Sequence, residues 1–127
     1  MSSYIIEGGK RLAGEVTVSG SKNASLPIIA ASILNPGITR LYNIPNIHDT
    51  QITLEILRYL GCKVKKHNGK IEINSKNITK REIPEHLMNQ MRSTVVLAGA
   101  ILGRFKEAKF SYPGDSDIWW MHRTNIR

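Results

Sequence analysis

The sequence has few of the residues that build disulfides and metal clusters. Cys62 is the single cysteine among 127 residues, so a disulfide within the chain and a zinc cluster made of cysteines are both excluded. The four histidines are scattered, and their spacing fits no metal-ligand pattern (His48, His67, His86 and His122). We therefore expect no metal and no other cofactor.

Long apolar runs are also missing. No stretch of 18 apolar residues is present, and no basic-then-apolar leader follows Met1. A helix needs about 20 apolar residues to cross a bilayer, so we expect no membrane partner and a cytoplasmic location. The hydrophobic content of 41% is enough to fill a core. The length suits one domain or a piece of a larger one.

Acidic residues are few relative to basic ones. The chain has 10 Asp and Glu against 18 Lys and Arg, a net charge of +8. Such a balance favours an anionic partner, which could be nucleic acid, a phosphorylated metabolite or an acidic surface. The basic residues are spread along the chain and aromatic residues make up 6% of it, without the basic and aromatic ladder that binds single strands. This makes nucleic acid an unfavoured partner.

The stretch from Glu15 to Pro27 predicts a strand, a tight turn and a helix. Gly20 is expected to supply a positive φ at the turn, and Ser21 or Asn23 to cap the helix. Free amides and the positive end of a helix dipole would then point the same way as the charge of Lys22, which suits an anion. The alternative is a solvated lysine on a surface turn.

Hydrophobic periodicity predicts the remaining elements. Strands are expected at 4–6, up to residue 19, at 38–44, 62–66, 70–74 and 108–112, and helices within 21–34, from 49 or 50 to 61, and from 84 to about 103. Asn68-Gly69 predicts a type I′ hairpin turn. The first helix should be buried on most sides, as should the second half of the last. The fold class is α/β or α+β, with helices on one side of a small sheet.

Several separated motifs resemble one enzyme family. They are Gly8-Gly9, L-A-G-E-V-T-V-S-G-S-K-N ending at Asn23, N-I-P at 43–45, L-G-C-K-V at 60–64 and M-R-S at 91–93. In order and distance they are similar to the bacterial UDP-N-acetylglucosamine 1-carboxyvinyltransferases of the EPSP synthase superfamily, over about residues 4–114. The Lys22-Asn23 pair separates the chain from the sister family that makes enolpyruvylshikimate phosphate, which usually has Ser or Thr after the lysine.

The resemblance implies an inside-out α/β barrel built from β-α-β-α-β-β units. Residues 13–74 would form one unit and 84–112 would begin the next, within a partial domain at 1–114. After residue 114 the sequence no longer resembles the family, and the tail at 115–127 is what a truncated or frameshifted gene would leave. The alternative is a specialised tail that binds a partner through its two tryptophans, Trp119 and Trp120. We expect such a fragment to self-associate through exposed apolar helices.

The resemblance also implies a reaction. The family moves the enolpyruvyl group of phosphoenolpyruvate onto the 3-hydroxyl of UDP-N-acetylglucosamine and releases phosphate, the first committed step of peptidoglycan synthesis. Lys22 matches the lysine that holds phosphoenolpyruvate, Asn23 the asparagine that hydrogen-bonds the sugar, and Arg92 an arginine near the substrates. Apart from the resemblance, Asn23 could be a helix cap and Arg92 a solvated side chain.

The family's mobile loop is not preserved in the sequence. Ser116 falls where the family has its proton donor, and a serine hydroxyl is a poor acid at neutral pH. Asp115 or Asp117 could replace it if the loop shifts by one residue, and Met121 falls at the loop arginine, which Arg123 could replace after a shift of two. We therefore expect the isolated chain to be inactive. The alternative function is a non-catalytic basic module that binds RNA or a phosphorylated ligand.

Overall fold

The computed structural model describes residues 2–91, 95–111 and 118–122, with side chains up to Phe110. Helix α1 is followed by a 3₁₀ turn, and a β-α-β-β sequence comes next. Two further helices and a second hairpin complete the described elements. Their bounds are α1 Lys22–Ala31, the 3₁₀ turn Ser32–Leu34, β1 Ile38–Tyr42, α2 His48–Leu60, β2 Lys63–His67, β3 Lys70–Asn74, α3 Glu85–Met88, α4 Val95–Phe105, β4 Glu107–Ser111 and β5 Ile118–His122.

The main sheet is antiparallel and has the order β1-β3-β2. Leu41 on β1 lies opposite Ile71 of the central strand β3, and Val64 on β2 lies opposite Ile73 of the same strand. Both isoleucines are buried, as their alternation with polar residues predicted. Strands β4 and β5 form a separate antiparallel pair.

The β2–β3 hairpin confirms the predicted turn. Asn68 and Gly69 both have positive φ, 45° and 74°, which is the backbone that a type I′ turn requires at its two central residues. Helix α2 also ends as predicted. Gly61 follows it in the left-handed region with a φ of 116°, and a side chain there would lie 2.7 Å from the carbonyl oxygen of Asn77.

The core lies between the helices and the inner face of the main sheet. Helices α1, α2 and α4 contribute fully buried aliphatic side chains, and α3 adds the buried Met88. Its largest members are Ile29, Ile33, Leu54, Ile56, Leu57, Leu60, Ile73, Ile83, Met88, Leu97 and Ile101. The mixed helix and strand class is confirmed. The unit boundaries at 13–74 and 84–112 stay predictions.

The two strands predicted before residue 20 are wrong. Residues 2–20 form no strand, and apolar side chains such as Tyr4, Val16 and Val18 are at least 80% exposed. Alternation indicates which face of a strand could be buried, but a strand also needs a partner for its N–H and C=O groups. Among the described residues, no strand pairs with this segment.

The single long helix predicted from Pro84 to Gly103 is also wrong. Helix α3 ends at Met88, and Gln90 and Met91 donate their backbone N–H groups to residues three positions earlier, which tightens the chain into a turn. The Gln90 side chain donates to the carbonyl of His86. Residues 92–94 lie outside the described part. Helix α4 then begins at Val95.

Helices α1 and α4 leave apolar side chains at the surface. Ile28 and Leu34 are 47% and 52% exposed, and Val95 and Val96 are 46% and 44% exposed. The expectation that α1 is buried on most sides is therefore wrong, because its buried side chains lie on one face. In α4, Leu97, Ala98, Ala100 and Ile101 are buried as expected, but Val95, Val96, Gly99 and Gly103 are exposed, so the expected burial on most sides is confirmed for one face only. Self-association through the exposed face stays a prediction.

Strand β5 was not predicted, because the tail was expected to diverge after Ile118. Its backbone pairs with β4 over its full length, from Ile118 opposite Ser111 to His122 opposite Glu107. No helix in the described part of the chain is long and apolar enough to cross a membrane.

Candidate functional site

Lys22 is the first residue of helix α1. Ser21 precedes it in an extended conformation, and the Ser21 hydroxyl oxygen accepts a hydrogen bond from the amide of Ala24 at 3.4 Å. Of the two caps that the sequence allowed, Ser21 fills the role. The side chain of Asn23 makes no hydrogen bond to another described residue, and the residue is exposed. Its amide is therefore free to meet a ligand.

Gly20 brings the start of α1 against the connection that follows β1. A Cβ added at Gly20 would lie 1.9 Å from the carbonyl oxygen of Asn43 and 3.4 Å from Cδ of Pro45. The predicted positive φ is wrong, because Gly20 is not among the residues with positive φ. The glycine is needed for close backbone approach instead, while Asn43 itself takes a φ of 56°.

Asp49 is the ion-pair partner of Lys22. The Nζ of Lys22 lies 2.6 Å from Oδ2 of Asp49, and their side chains are 53% and 24% exposed. Asp49 lies in the first turn of α2, where a negative charge is favoured by the helix dipole. An exposed pair of this kind contributes about 0–1 kcal/mol, so an incoming anion can replace the carboxylate at low cost.

The start of α2 is fixed by Thr50. Its hydroxyl lies 2.7 Å from the carbonyl oxygen of Pro45 and 2.8 Å from that of Ile47, to which it can donate, and it accepts the amide of Ile47 at 3.2 Å. Thr50 is 1% exposed. This network ties the N-I-P segment to the helix that carries Asp49, so the partner of Lys22 is held by buried contacts.

Asp49 was not predicted as a site residue. The available signal was its place at the start of a predicted helix in a chain with few acids. Nothing in the sequence spacing showed that the two helices begin side by side. Within the described residues, no group of three or more His, Cys, Asp or Glu side chains could hold a metal ion. We call residues 20–23, together with Asp49, the corner at the start of α1. It offers the exposed ammonium of Lys22, the side-chain amide of Asn23 and the first turn of a helix.

Comparison with known proteins places the sequence in a family. It matches the model of EPSP synthase (3-phosphoshikimate 1-carboxyvinyltransferase) over residues 6–119. The chain belongs to the EPSP synthase family. Its fold agrees with the enolpyruvyl transferase NikO from Streptomyces tendae, with a TM-score of 0.72 and 26% identity over 85% of this chain and 25% of that one. A partial unit of the barrel is consistent with this match.

Curated relatives within the EPSP synthase family carry one activity in their names. The UDP-N-acetylglucosamine 1-carboxyvinyltransferase 2 of Caldanaerobacter subterraneus subsp. tengcongensis is 45% identical over 118 residues. The UDP-N-acetylglucosamine 1-carboxyvinyltransferase of Wigglesworthia glossinidia brevipalpis is 42% identical over 118 residues. Each alignment covers 93% of this chain and 28% of the relative, so the chain spans about 28% of the length of these relatives.

Two of the family motifs meet in space at the candidate site. Gly20 belongs to S-G-S-K-N and Asn43 to N-I-P, and their backbones touch beside Lys22. Another of the motifs, L-G-C-K-V at 60–64, lies at the C-terminal end of α2 and has a structural role. There Cys62 is buried, and this burial raises the pKa of its thiol to about 11, with the charge of Arg104 acting in the opposite direction.

The other predicted site residues of this family member lie outside the described residues. They are Arg92 and the loop positions Asp115, Ser116 and Asp117. Met91 directly precedes Arg92 and is buried, with its sulfur 3.5 Å from the hydroxyl of Thr53. Thr53 in turn donates to the carbonyl of Asp49. The residue before Arg92 is thus packed one helical turn from the partner of Lys22.

Proposed function

We propose that the chain supplies part of the substrate site of an enzyme that transfers the enolpyruvyl group of phosphoenolpyruvate to the 3-hydroxyl of UDP-N-acetylglucosamine. The observation that carries the proposal is the contact between the S-G-S-K-N and N-I-P motifs. It sets Lys22 and Asn23 at the head of α1, beside the start of α2. The names of the curated relatives support it, because they describe a 1-carboxyvinyltransferase of UDP-N-acetylglucosamine.

The reaction needs positively charged side chains near the carboxylate and phosphate of phosphoenolpyruvate. Phosphoenolpyruvate carries a carboxylate and a phosphate. The reaction protonates the terminal carbon of its double bond while the sugar hydroxyl loses its proton and attacks the carbon that bears the phosphate, and loss of phosphate and of one proton from the terminal carbon then restores the double bond. Developing and existing negative charge must be stabilised by groups that are already in place. Lys22 is such a group, since its side chain is 53% exposed and its ammonium pairs with the carboxylate of Asp49. In this proposal Lys22 holds phosphoenolpyruvate and Asn23 hydrogen-bonds the sugar.

Arg92 is proposed as a second cation for the substrates, and the isolated 127-residue chain is proposed to be inactive. The motivation for the second point is the sequence of the loop, where Ser116 stands at the position of the family's proton donor. A hydroxyl at that position is a poor proton donor near neutral pH. The roles of Asp115 and Asp117 as substitutes depend on a shift of the loop.

A chimera tests the proposal. Residues 1–111 of this chain replace the matching part of the Caldanaerobacter relative, and phosphate release is measured with both substrates. We expect turnover by the chimera and a loss of at least about tenfold in kcat/KM for its Lys22→Met variant, because a hydrogen bond to a charged group contributes about 1.5–3 kcal/mol. Lys63→Met is the control, since Lys63 is exposed on β2 and lies outside the corner.

Two results would contradict the proposal. One is a folded chimera that releases no phosphate while the parent relative does. The other is equal turnover with methionine at position 22. Separately, phosphate release by the isolated 127-residue chain would show that the proposed inactivity is wrong.

A further inference from the structure

A cavity of about 520 Å³ lies between the tip of the β2–β3 hairpin and the start of α2. Its volume is in the range of pockets that hold small molecules. Ile44, Pro45 and Ile71 supply its apolar surface, and Asn46 and Gln51 lie at the helix side, joined by a hydrogen bond of 3.0 Å. The strand register places the hairpin tip beside the end of β1, with Lys70 opposite Tyr42.

The ionisable side chains that line this cavity are all basic. Lys66, Lys70 and His67 line it, and no acidic residue does. Of the acids on the neighbouring elements, Asp49 pairs with Lys22 and Glu72 pairs with Arg40 at 3.1 Å, and Glu55 on α2 does not line the cavity. Over the part of the chain that the structure describes, neither Lys66 nor Lys70 forms an ion pair. Their charges are therefore uncompensated.

Lys66 also stands in an unusual position in the sheet. Directly opposite residues of paired strands share a face, and Lys66 is opposite the buried Ile71. The next such position along β2 is Val64, opposite Ile73. Lys66 thus starts from the inward face of the sheet, but it is exposed, so its charge lies at the solvent-open edge of the cavity. Together with Lys70, Lys66 lines the cavity and is accessible to an anion.

We propose that this cavity binds a small phosphorylated molecule. Its phosphate would be held by the ammonium groups of Lys66 and Lys70, and an apolar part of the molecule would lie on Ile44, Pro45 and Ile71. The proposal concerns a second site and does not depend on the function proposed for Lys22. RNA is disfavoured as the occupant, because no Phe, Tyr or Trp side chain lines the cavity for base stacking.

The test is a titration of the full 127-residue chain, labelled with ¹⁵N, with pyrophosphate and with a nucleoside monophosphate, followed by amide chemical shifts. Two double variants with the same change in charge are compared. Lys66→Gln with Lys70→Gln removes the cations of the cavity. Lys63→Gln with Lys65→Gln removes two exposed lysines of the same strand that do not line it. Lys66→Arg with Lys70→Arg keeps the charge.

We expect shifts at residues 44–51 and 66–71 in the original chain. The cavity double variant should bind at least about tenfold more weakly, as the loss of charge-assisted hydrogen bonds implies, and the control double variant less than about threefold more weakly. The arginine variant should bind as the original does. Equal weakening by both glutamine variants, or shifts confined to residues 21–25, would overturn the proposal. The second result would leave the function proposed for Lys22 standing.

Discussion

Gly20→Ala tests whether the close approach of two backbones builds the candidate site. The added Cβ would lie 1.9 Å from the carbonyl oxygen of Asn43, and real Cβ atoms essentially never approach another atom within 3.0 Å. The two backbones must therefore separate by at least about 1.1 Å. Overpacking of this kind costs about 1–3 kcal/mol.

The cost should fall in the lower half of that range. Residues 2–19 form no regular structure, so the chain can relieve the clash by moving Gly20 away from Asn43. We expect a loss of about 1–2 kcal/mol of unfolding free energy, which lowers Tm by roughly 4–10 °C in a chain of this size. The movement also displaces the cap at Ser21 and the adjacent Lys22, so affinity for phosphoenolpyruvate should fall as well.

Thermal unfolding followed by circular dichroism measures the first effect, and calorimetric titration measures the second. Gly99→Ala is the matched control. Gly99 lies inside α4 and no atom is within 4 Å of its added Cβ, so alanine there should stabilise the helix by about 0.5–1 kcal/mol. An unchanged Tm together with unchanged affinity in Gly20→Ala would refute the close approach and its role.

Three further changes have defined outcomes. Asp49→Asn should lower stability by less than about 1 kcal/mol, since its pair with Lys22 is exposed. It should also strengthen phosphate binding at low salt, because a competing carboxylate is gone, and weaker binding in a titration would contradict this. Arg104→Met should cost about 2–3 kcal/mol in urea unfolding, because its guanidinium donates to both the carbonyl and the hydroxyl of Ser75; a loss under 0.5 kcal/mol would show that these bonds contribute little. Burial raises the pKa of the Cys62 thiol from 9.0 to about 11, so the thiol ionises at lower pH in the unfolded chain than in the folded one. Stability should therefore fall as the pH rises from about 9 to 11, and it should fall less steeply in Cys62→Ala. Parallel pH profiles of stability for the two proteins would contradict this.

The parts of the fold with local signals could be predicted from the sequence. The Asn68-Gly69 turn and the end of α2 at Gly61 depend on backbone conformations that few residue types adopt. The burial of Ile71 and Ile73 follows from alternation within one strand. In each case the physical cause lies within a few residues of the feature itself.

The parts that depend on distant partners could not be predicted. The alternation at Val16 and Val18 suggested a strand, but a strand forms only where another backbone accepts its hydrogen bonds. The pairing of Lys22 with Asp49 needs two helices to begin side by side, 27 residues apart in the sequence. The reason for glycine at position 20 is a contact with Asn43, which local turn chemistry does not reveal.

The proposed role of Lys22 is to bind the phosphorylated substrate at the start of α1. The most direct measurement is an amide chemical-shift titration of the chain with phosphoenolpyruvate, at low and at physiological salt, with and without Lys22→Met. We expect shifts at residues 20–25 that weaken with salt and are lost with methionine at position 22. An absence of shifts at residues 20–25, or shifts there that persist in Lys22→Met, would contradict this role of Lys22.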